Sequence, residues 1–393
     1  MPDNTPRSGT FRRTLSGYTA FFPRPLPPDP PITLDPALQR LLSEADRALG
    51  ALHVVATVLP NPDLLVGLFI QKEALLSSQI EGTQSTLQDV LGADPESTEQ
   101  SKDVGEVLNY VKALRHGLSR LNNDELPMCL RLIKEIHDVL MQQVRGGAPA
   151  LTPGEFRTAQ NWIGGTGPGN ARFVPPPPGD MDDALGALEK YLHEEDGLPP
   201  LIQCALIHYQ FETIHPFNDG NGRVGRLLVT LYLVWKGLLQ EPMLYLSAYL
   251  KAHQQEYYDR LQQVRTDGNY EAWLRFFLEG VVTVSRQVID TTRRIQRLEQ
   301  QDTERLMAAN AGIYAIQFLR VLMKSPVLTV DQAATLMGVS YKKANELFRT
   351  CEDLGLIRQI TVGKRNRRFV YDEYVRILNE GAELIRPSEP PAT

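Results

Sequence analysis

The 393-residue chain predicts a mainly α-helical protein with a small β-hairpin flap and a C-terminal winged helix-turn-helix. Three observations carry that expectation. From Asp35 onward, apolar residues recur at intervals of three and four, the period of a helix with one buried face. A glycine- and proline-rich interruption over 146–178 alternates short apolar stretches with Gly164, Gly165 and Gly167, as a two-stranded flap does. Beyond Ala311, two amphipathic stretches flank a Gly338-Val339-Ser340 turn, and two β-prone stretches around a basic turn follow.

Taken in order, Phe21-Phe22-Pro23-Arg24-Pro25-Leu26-Pro27-Pro28 reads as part of a proline-rich arm, 1–34, lying extended on the domain surface. Helical faces follow at 104–118 (Val107, Leu108, Val111, Leu114), at 130–141 (Leu132, Ile133, Ile136, Val139, Leu140) and at 181–192. A flap is expected near 156–176. Ile202, Ala205, Leu206 and Tyr209 mark a further helix, which Pro216 ends by removing an N–H; Leu227, Leu228, Leu231, Tyr232 and Trp235 resume the pattern. Trp273, Phe276 and Phe277 fall at i, i+3 and i+4 and are assigned to the core. The stretch 284–310 is charged, lacks glycine and proline, and spaces its apolar residues sparsely (Val288, Ile295, Leu298, Leu306), which predicts a connecting helix. In the helix-turn-helix, Ala333, Leu336, Val339 and Leu347 are the inward positions. The resulting division is an arm (1–34), a main domain (35–283), a connecting helix (284–310), a winged-helix domain (311–380) and a tail (381–393).

With 42% hydrophobic and 22% charged residues, the composition is that of a soluble globular protein. No apolar run is long enough to span a bilayer and the N-terminus lacks a signal-peptide core, so a cytoplasmic protein without a membrane partner is expected. Cys129, Cys204 and Cys351 lie far apart in apolar contexts, which argues against a disulfide framework or zinc site. The net charge of −6 is unevenly distributed. Lys342, Lys343 and Arg349 on the second helix, with Lys364, Arg365, Arg367 and Arg368 on the wing, form a basic surface suited to DNA phosphates. Docking to protein is the alternative. The arm and the connecting helix also offer apolar surface to a homodimer.

The most informative segment is 215–226, His-Pro-Phe-Asn-Asp-Gly-Asn-Gly-Arg-Val-Gly-Arg. Its glycines, Gly220, Gly222 and Gly225, sit in a tight turn feeding a helix N-terminus, where free N–H groups and the helix dipole attract anionic oxygens. Arg223 and Arg226 share a helix face one turn in. Asp219 is a hard oxygen ligand suited to Mg²⁺ on a polyphosphate, and His215 can accept a proton near neutral pH. A nucleotide phosphate site beside a general base follows. The run 220–225 also fits G-x-G-x-x-G, but a helix precedes it where a dinucleotide fold needs a strand. No P-loop run occurs, and a bare His215–Asp219 metal pair lacks further ligands.

The segment resembles the signature of the Fic family, H-P-F-x-[DE]-G-N-G-R-x-x-R, with every position filled. The resemblance implies a Fic-type helical bundle that transfers AMP from ATP, with Mg²⁺, to a Ser, Thr or Tyr hydroxyl of a target protein, self-modification included. By that resemblance His215 is the base and Asp219 holds the metal. Asn221 and the turn amides of Gly220, Gly222 and Gly225 bind the α- and β-phosphates, Arg223 the β-phosphate and Arg226 the γ-phosphate; Phe217 anchors the loop. Gln160-Asn161-Trp162-Ile163-Gly164-Gly165 followed by Phe173-Val174-Pro175-Pro176 looks like the family's flap, whose edge registers a target strand. One of Tyr257 and Tyr258 would flank the adenine.

A second motif lies near 70–82. Ser77 and Glu81 are four apart, on one helix face, with Gly82 as a stop. This resembles [ST]-x-x-x-E-[GN], the inhibitory motif of Fic proteins that carry their inhibitor in the same chain. The resemblance implies that Glu81 pairs with Arg226 and occupies what ATP needs. Two other functions stay open: a Fic-fold enzyme that transfers another nucleotide group or removes AMP, and a DNA-binding regulator that senses nucleotide.

Overall fold

The computed structural model describes residues 6–58, 62–93, 101–122, 126–142, 152–361 and 367–383. The first regular structure is a hairpin, in place of the extended arm expected for 1–34. Strand β1 (Gly9–Arg13) pairs antiparallel with β2 (Thr19–Pro23), Gly9 facing Pro23 and Arg13 facing Thr19. The prolines that suggested an arm cluster from Pro23 onward, so the ladder upstream keeps its N–H groups. Ala20 and Phe21 are buried, and Phe21 N–H donates to the carbonyl of Val174 in the flap region.

Helices α1 (Pro36–Val58), α2 (Pro62–Ile80), α3 (Leu87–Leu91), α4 (Lys102–Asn122) and α5 (Leu130–Leu140) precede the flap region. A reciprocal Thr86–Asp89 capping box starts α3. Helices α6 (Pro178–Leu192), α7 (Pro200–Ile214), α8 (Asn221–Trp235), α9 (Ser247–Ala252) and α10 (Gln254–Asp267) follow it. Proline at the first turn of α6 and α7 supplies a helical φ where no N–H is needed. Helix α7 packs on α8, and α4 lies against α5 and α8, which encloses the turn between α7 and α8.

Helix α11 (Tyr270–Ala308) runs unbroken for 39 residues, about 58 Å at 1.5 Å per residue, across the boundary expected at 283/284. Gly280 does not break it. A Cβ there would sit 2.8 Å from the Tyr249 ring, so the glycine permits a close crossing with α9. Val288, Ile295, Leu298 and Leu306 are buried, and α11 packs along α1 and the C-terminal elements. The apolar surface expected for a homodimer on this helix is therefore used within the chain.

The C-terminal module comprises α12 (Ile313–Lys324), β3 (Val327–Thr329), α13 (Val330–Met337), α14 (Tyr341–Asp353), β4 (Arg358–Gln359), β5 (Arg368–Val370) and α15 (Asp372–Asn379). Its strands form one antiparallel sheet in the order β3-β5-β4, with Val370 facing both Val327 and Arg358. Ala333 and Leu347 face inward as the periodicity predicts, but Leu336 is 54% exposed. Of the basic wing, Lys364 and Arg365 lie outside the described residues. Arg367 bonds the Asn345 side chain, and the Arg368 guanidinium lies beside Gly92 at the end of α3.

Trp273 shows how the core fixes these helices: it is 0% exposed, stacks on His208, and donates its indole N–H to Ala205 O on α7 at 2.9 Å. Trp273→Ala should lower unfolding free energy by about 3–5 kcal/mol. Denaturant unfolding monitored by circular dichroism measures this; a loss below about 1 kcal/mol would mean that the site collapses or that Trp273 does not tie α11 to α7.

Candidate functional site

The turn between α7 and α8 is built from two left-handed residues. His215 ends α7 at φ 52, ψ 59, and Gly220 starts α8 at φ 78. A non-glycine residue held there costs roughly 1–2 kcal/mol, so surrounding bonds must hold it. They do. Arg157, fully buried, donates to the carbonyls of His215 (3.0 Å) and Pro176 (2.6 Å), and Asn161 Nδ2 donates to His215 O and Phe217 O at 3.1 and 2.9 Å. His137 stacks on Phe217 with ring centroids 3.7 Å apart. Its Nδ1 accepts the Gly154 N–H, so Nε2 carries the proton given to Asp219 O at 3.1 Å. Sequence reasoning missed Arg157 and His137. Both act on backbone carbonyls, and no spacing rule marks such a partner.

A cavity of about 310 Å³ opens beside the turn, lined by Glu81, Ile163, Gly164, Phe173, Glu212, His215, Gly222, Arg226, Tyr257, Tyr258 and Arg265 among others. That is the small end of ligand pockets, about 300–1,000 Å³. Arg226, 3% exposed, donates from Nη2 to Glu81 Oε1 at 2.6 Å and Ser77 O at 3.0 Å, and from Nε to Ser77 Oγ at 2.8 Å. The two segments expected to meet do meet. Gly222 makes room for this: a Cβ there would lie 2.4 Å from Glu81 Oε1. Burial raises the Glu81 pKa, but the charge and hydrogen bond of Arg226 outweigh it, and the net shift is downward.

Several expected ligands stand elsewhere. Asn221 is committed to Phe217, accepting its N–H and donating to its carbonyl, both at 2.8 Å, so the side chain braces the loop and only its backbone remains for an anion. Arg223 pairs with Glu106 of α4 at 3.1 Å and lies off the cavity wall. Its buried guanidinium has taken a carboxylate partner. Asp219, Gly220, Gly225 and Gly165 are also off the wall; Gly225 lets Glu212 approach, since a Cβ would meet Glu212 Oε1 at 2.3 Å. Asp219 Oδ1 accepts the Gly220 N–H, and the side chain is 52% exposed. Among the described residues no group of three His, Cys, Asp or Glu side chains forms a metal cluster.

The flap pairs through one bridge, Ile163 with Phe173, and not through two regular strands. Gly164 and Gly165, both at φ 71, turn the chain, and Asn170 Oδ1 accepts the N–H groups of Thr166 and Gly167 at its tip. Of the tyrosine pair, Tyr257 is buried with its hydroxyl 2.8 Å from His208 Nε2, whereas Tyr258 is half-buried. Glu212, which sequence reasoning did not single out, is a buried carboxylate on the wall; burial pushes its pKa to about 7, and nearby Arg226 offsets only part of that.

With this geometry, the chain carries a Fic/DOC family domain. Residues 39–119 match the Fic/DOC family N-terminal model, and 127–233 match the Fic/DOC family model. A "Protein adenylyltransferase Fic" of Aedes aegypti is 31% identical over 199 residues, covering 50% of this chain and 36% of that protein. One of Drosophila grimshawi is 29% identical over 261 residues, covering 63% of this chain and 48% of that protein. The chain thus spans less than half the length of these curated relatives. A solved Fic family protein from Desulfovibrio desulfuricans is 20% identical with a TM-score of 0.56, covering 86% of this chain and 97% of that one, a likeness of fold. No helix among the described residues is long and apolar enough to cross a membrane.

His215, His137 and His208 all have their pKa pushed down to about 4 by burial; for His215, the charges of Arg265 and Arg157 act in the same direction. Each folded value lies below the unfolded value of about 6.5, so the unfolded chain binds more protons between the two. Stability from these groups is present above about 6.5 and lost as pH falls toward 4. Glu212 has the opposite sign: its stabilising proton is lost as pH rises through about 7. The three imidazole resonances should not titrate between pH 8 and about 5.5 in NMR spectra of the folded protein. A His215 midpoint near 6.5 would contradict the neutral imidazole.

Proposed function

We propose that this chain is a self-inhibited protein adenylyltransferase, moving AMP from ATP to a Ser, Thr or Tyr hydroxyl of a target protein and of itself. The observation that supports it best is that His215, Arg226 and Glu81 share one cavity although Glu81 and Arg226 are 145 positions apart in sequence. The curated relatives' name points the same way. In this reading neutral His215 takes the proton of the hydroxyl as its oxygen attacks the α-phosphorus, and pyrophosphate leaves. Ordering of the phosphates contributes most, and base catalysis adds about 10²–10⁴-fold. The turn amides at the start of α8 would receive phosphate oxygens. One half-exposed carboxylate, Asp219, fits Mg²⁺, which keeps water and phosphate oxygens as its other ligands. The free edge of the flap beside Ile163 would register the target strand.

Glu81 inhibits, in this reading, by occupying Arg226. Glu81→Gly should raise AMP transfer by about tenfold or more, because Arg226 is then free to orient the γ-phosphate. Arg226→Ala breaks the same pair yet should not activate, and the double variant should behave as Arg226→Ala alone. Labelled ATP, CTP, GTP and UTP, followed by detection of label on protein, measure both the rate and the nucleotide. Unchanged or reduced labelling by Glu81→Gly would remove the self-inhibition; label from CTP, GTP or UTP alone would replace the substrate.

His215→Ala should lower transfer by about 10²-fold or more while ATP affinity changes little, since the imidazole acts on the hydroxyl. Single-turnover labelling and calorimetric ATP titration separate the two effects. A variant as fast as the parent rules His215 out as the base.

A further inference from the structure

We infer that residues 380–383, the segment leaving the C-terminal module, strap down the last turns of α2 and thereby hold Glu81 on Arg226. This rests on the inhibitory reading of Glu81 above. The strap lies where α15 has ended at Asn379 and the chain turns through Gly381 at φ 77. Three of its carbonyls accept bonds from the catalytic domain. Lys72 on α2, 2% exposed and over the Tyr245 ring at 4.5 Å, donates to Glu380 O at 2.7 Å. Gln79, two residues before Glu81, donates to Ser85 O at 2.9 Å and reaches Ala382 O at 3.5 Å. Lys251 of α9 donates both to Glu383 O at 2.6 Å and to Gln79 Oε1 at 2.7 Å.

The strap is anchored at its other side. Arg294 of α11 grips the Glu380 carboxylate through both nitrogens at 2.6 Å, and Ala382 is buried in the core. A second contact follows the same route, since Gly92 at the end of α3 packs against Val327 and Arg368 of the C-terminal sheet. Withdrawing the strap leaves Lys72 and Lys251 as poorly hydrated ammonium groups without these acceptors, and frees one face of Gln79. A buried group that loses its acceptor pulls the local structure into rearrangement. The turn that rearranges is the one carrying Glu81. Any macromolecule that binds the C-terminal module more tightly with the strap withdrawn would then activate the distant site, by as much as its affinity for the two states differs.

The test compares the full chain with one ending at Asn379, the last residue of α15, each with Glu81 intact and with Glu81→Gly. Hydrogen exchange of the peptide covering 77–85 should quicken on truncation. Self-labelling from ATP should rise on the order of fivefold with Glu81 intact, and not rise further in the Glu81→Gly background, as residues acting through one contact require. Should the shortened chain fail to fold, Lys251→Met in the full chain supplies the same readings, because Lys251 touches only Gln79 and the strap among the bonds above. If Glu81→Gly activates while truncation and Lys251→Met change neither exchange nor labelling, the strap is mere packing and the inference is wrong. If truncation activates equally with and without Glu81, the module acts by another route. If Glu81→Gly itself does not activate, the inhibitory reading fails first and the strap has nothing to control.

Discussion

A guanidinium buried one turn inside α8 is the constraint around which the rest is arranged. Arg226 cannot remain ionised at 3% exposure without acceptors, because a buried charge stripped of its partner costs several kcal/mol. It has Ser77 Oγ, Ser77 O and Glu81 as direct acceptors, with the buried carboxylate of Glu212 close enough to bias it electrostatically. The two ends of the ion pair are unequal. Glu81 is 37% exposed and faces the cavity, so it can return to water, whereas Arg226 has no path out. An anion arriving in the cavity would therefore compete for a fixed cation against the more exposed carboxylate, the asymmetry that the inhibitory role proposed for Glu81 requires.

The turn that presents His215 is held by side chains that never face the cavity contents. Arg157, Asn161, His137 and Asn221 all bond backbone groups between Ile214 and Asp219. This is how a non-glycine residue stays left-handed and how the amides at the start of α8 stay aimed in one direction. Arg223 belongs with that support in this state, since its pairing with Glu106 ties α8 to α4. Neutral imidazoles are part of the same economy: His208 gives its Nδ1 proton to Gly225 O and accepts the Tyr257 hydroxyl at Nε2, so neither nitrogen has room for a further proton.

The amino-acid sequence determined by itself most of what depends on near neighbours. The helical periods, the stop at Pro216, the glycine turn into α8, the shared face of Ser77 and Glu81 and the buried Trp273, Phe276 and Phe277 are all local patterns, and a local pattern is readable because 3.6 residues make a turn. Even the long-range pairing of Glu81 with Arg226 was legible, though only through the resemblance of two motifs. Elsewhere local reading misled. Prolines downstream disguised the β1–β2 hairpin, the charged surface of α11 hid that it continues from 270, and Leu336 obeys the helical period yet faces water.

Only the tertiary structure decided which polar groups each side chain would find. That Asn221 is spent on Phe217, that Arg223 turns to Glu106, that Tyr257 is tied to His208, and that Lys72 and Lys251 depend on carbonyls beyond 379 are facts about partners roughly 4 to 308 positions away. Sequence sets the donor and acceptor inventory of a residue, but burial penalises each group left without a partner, and the satisfying group is whichever the packed helices bring within about 3 Å.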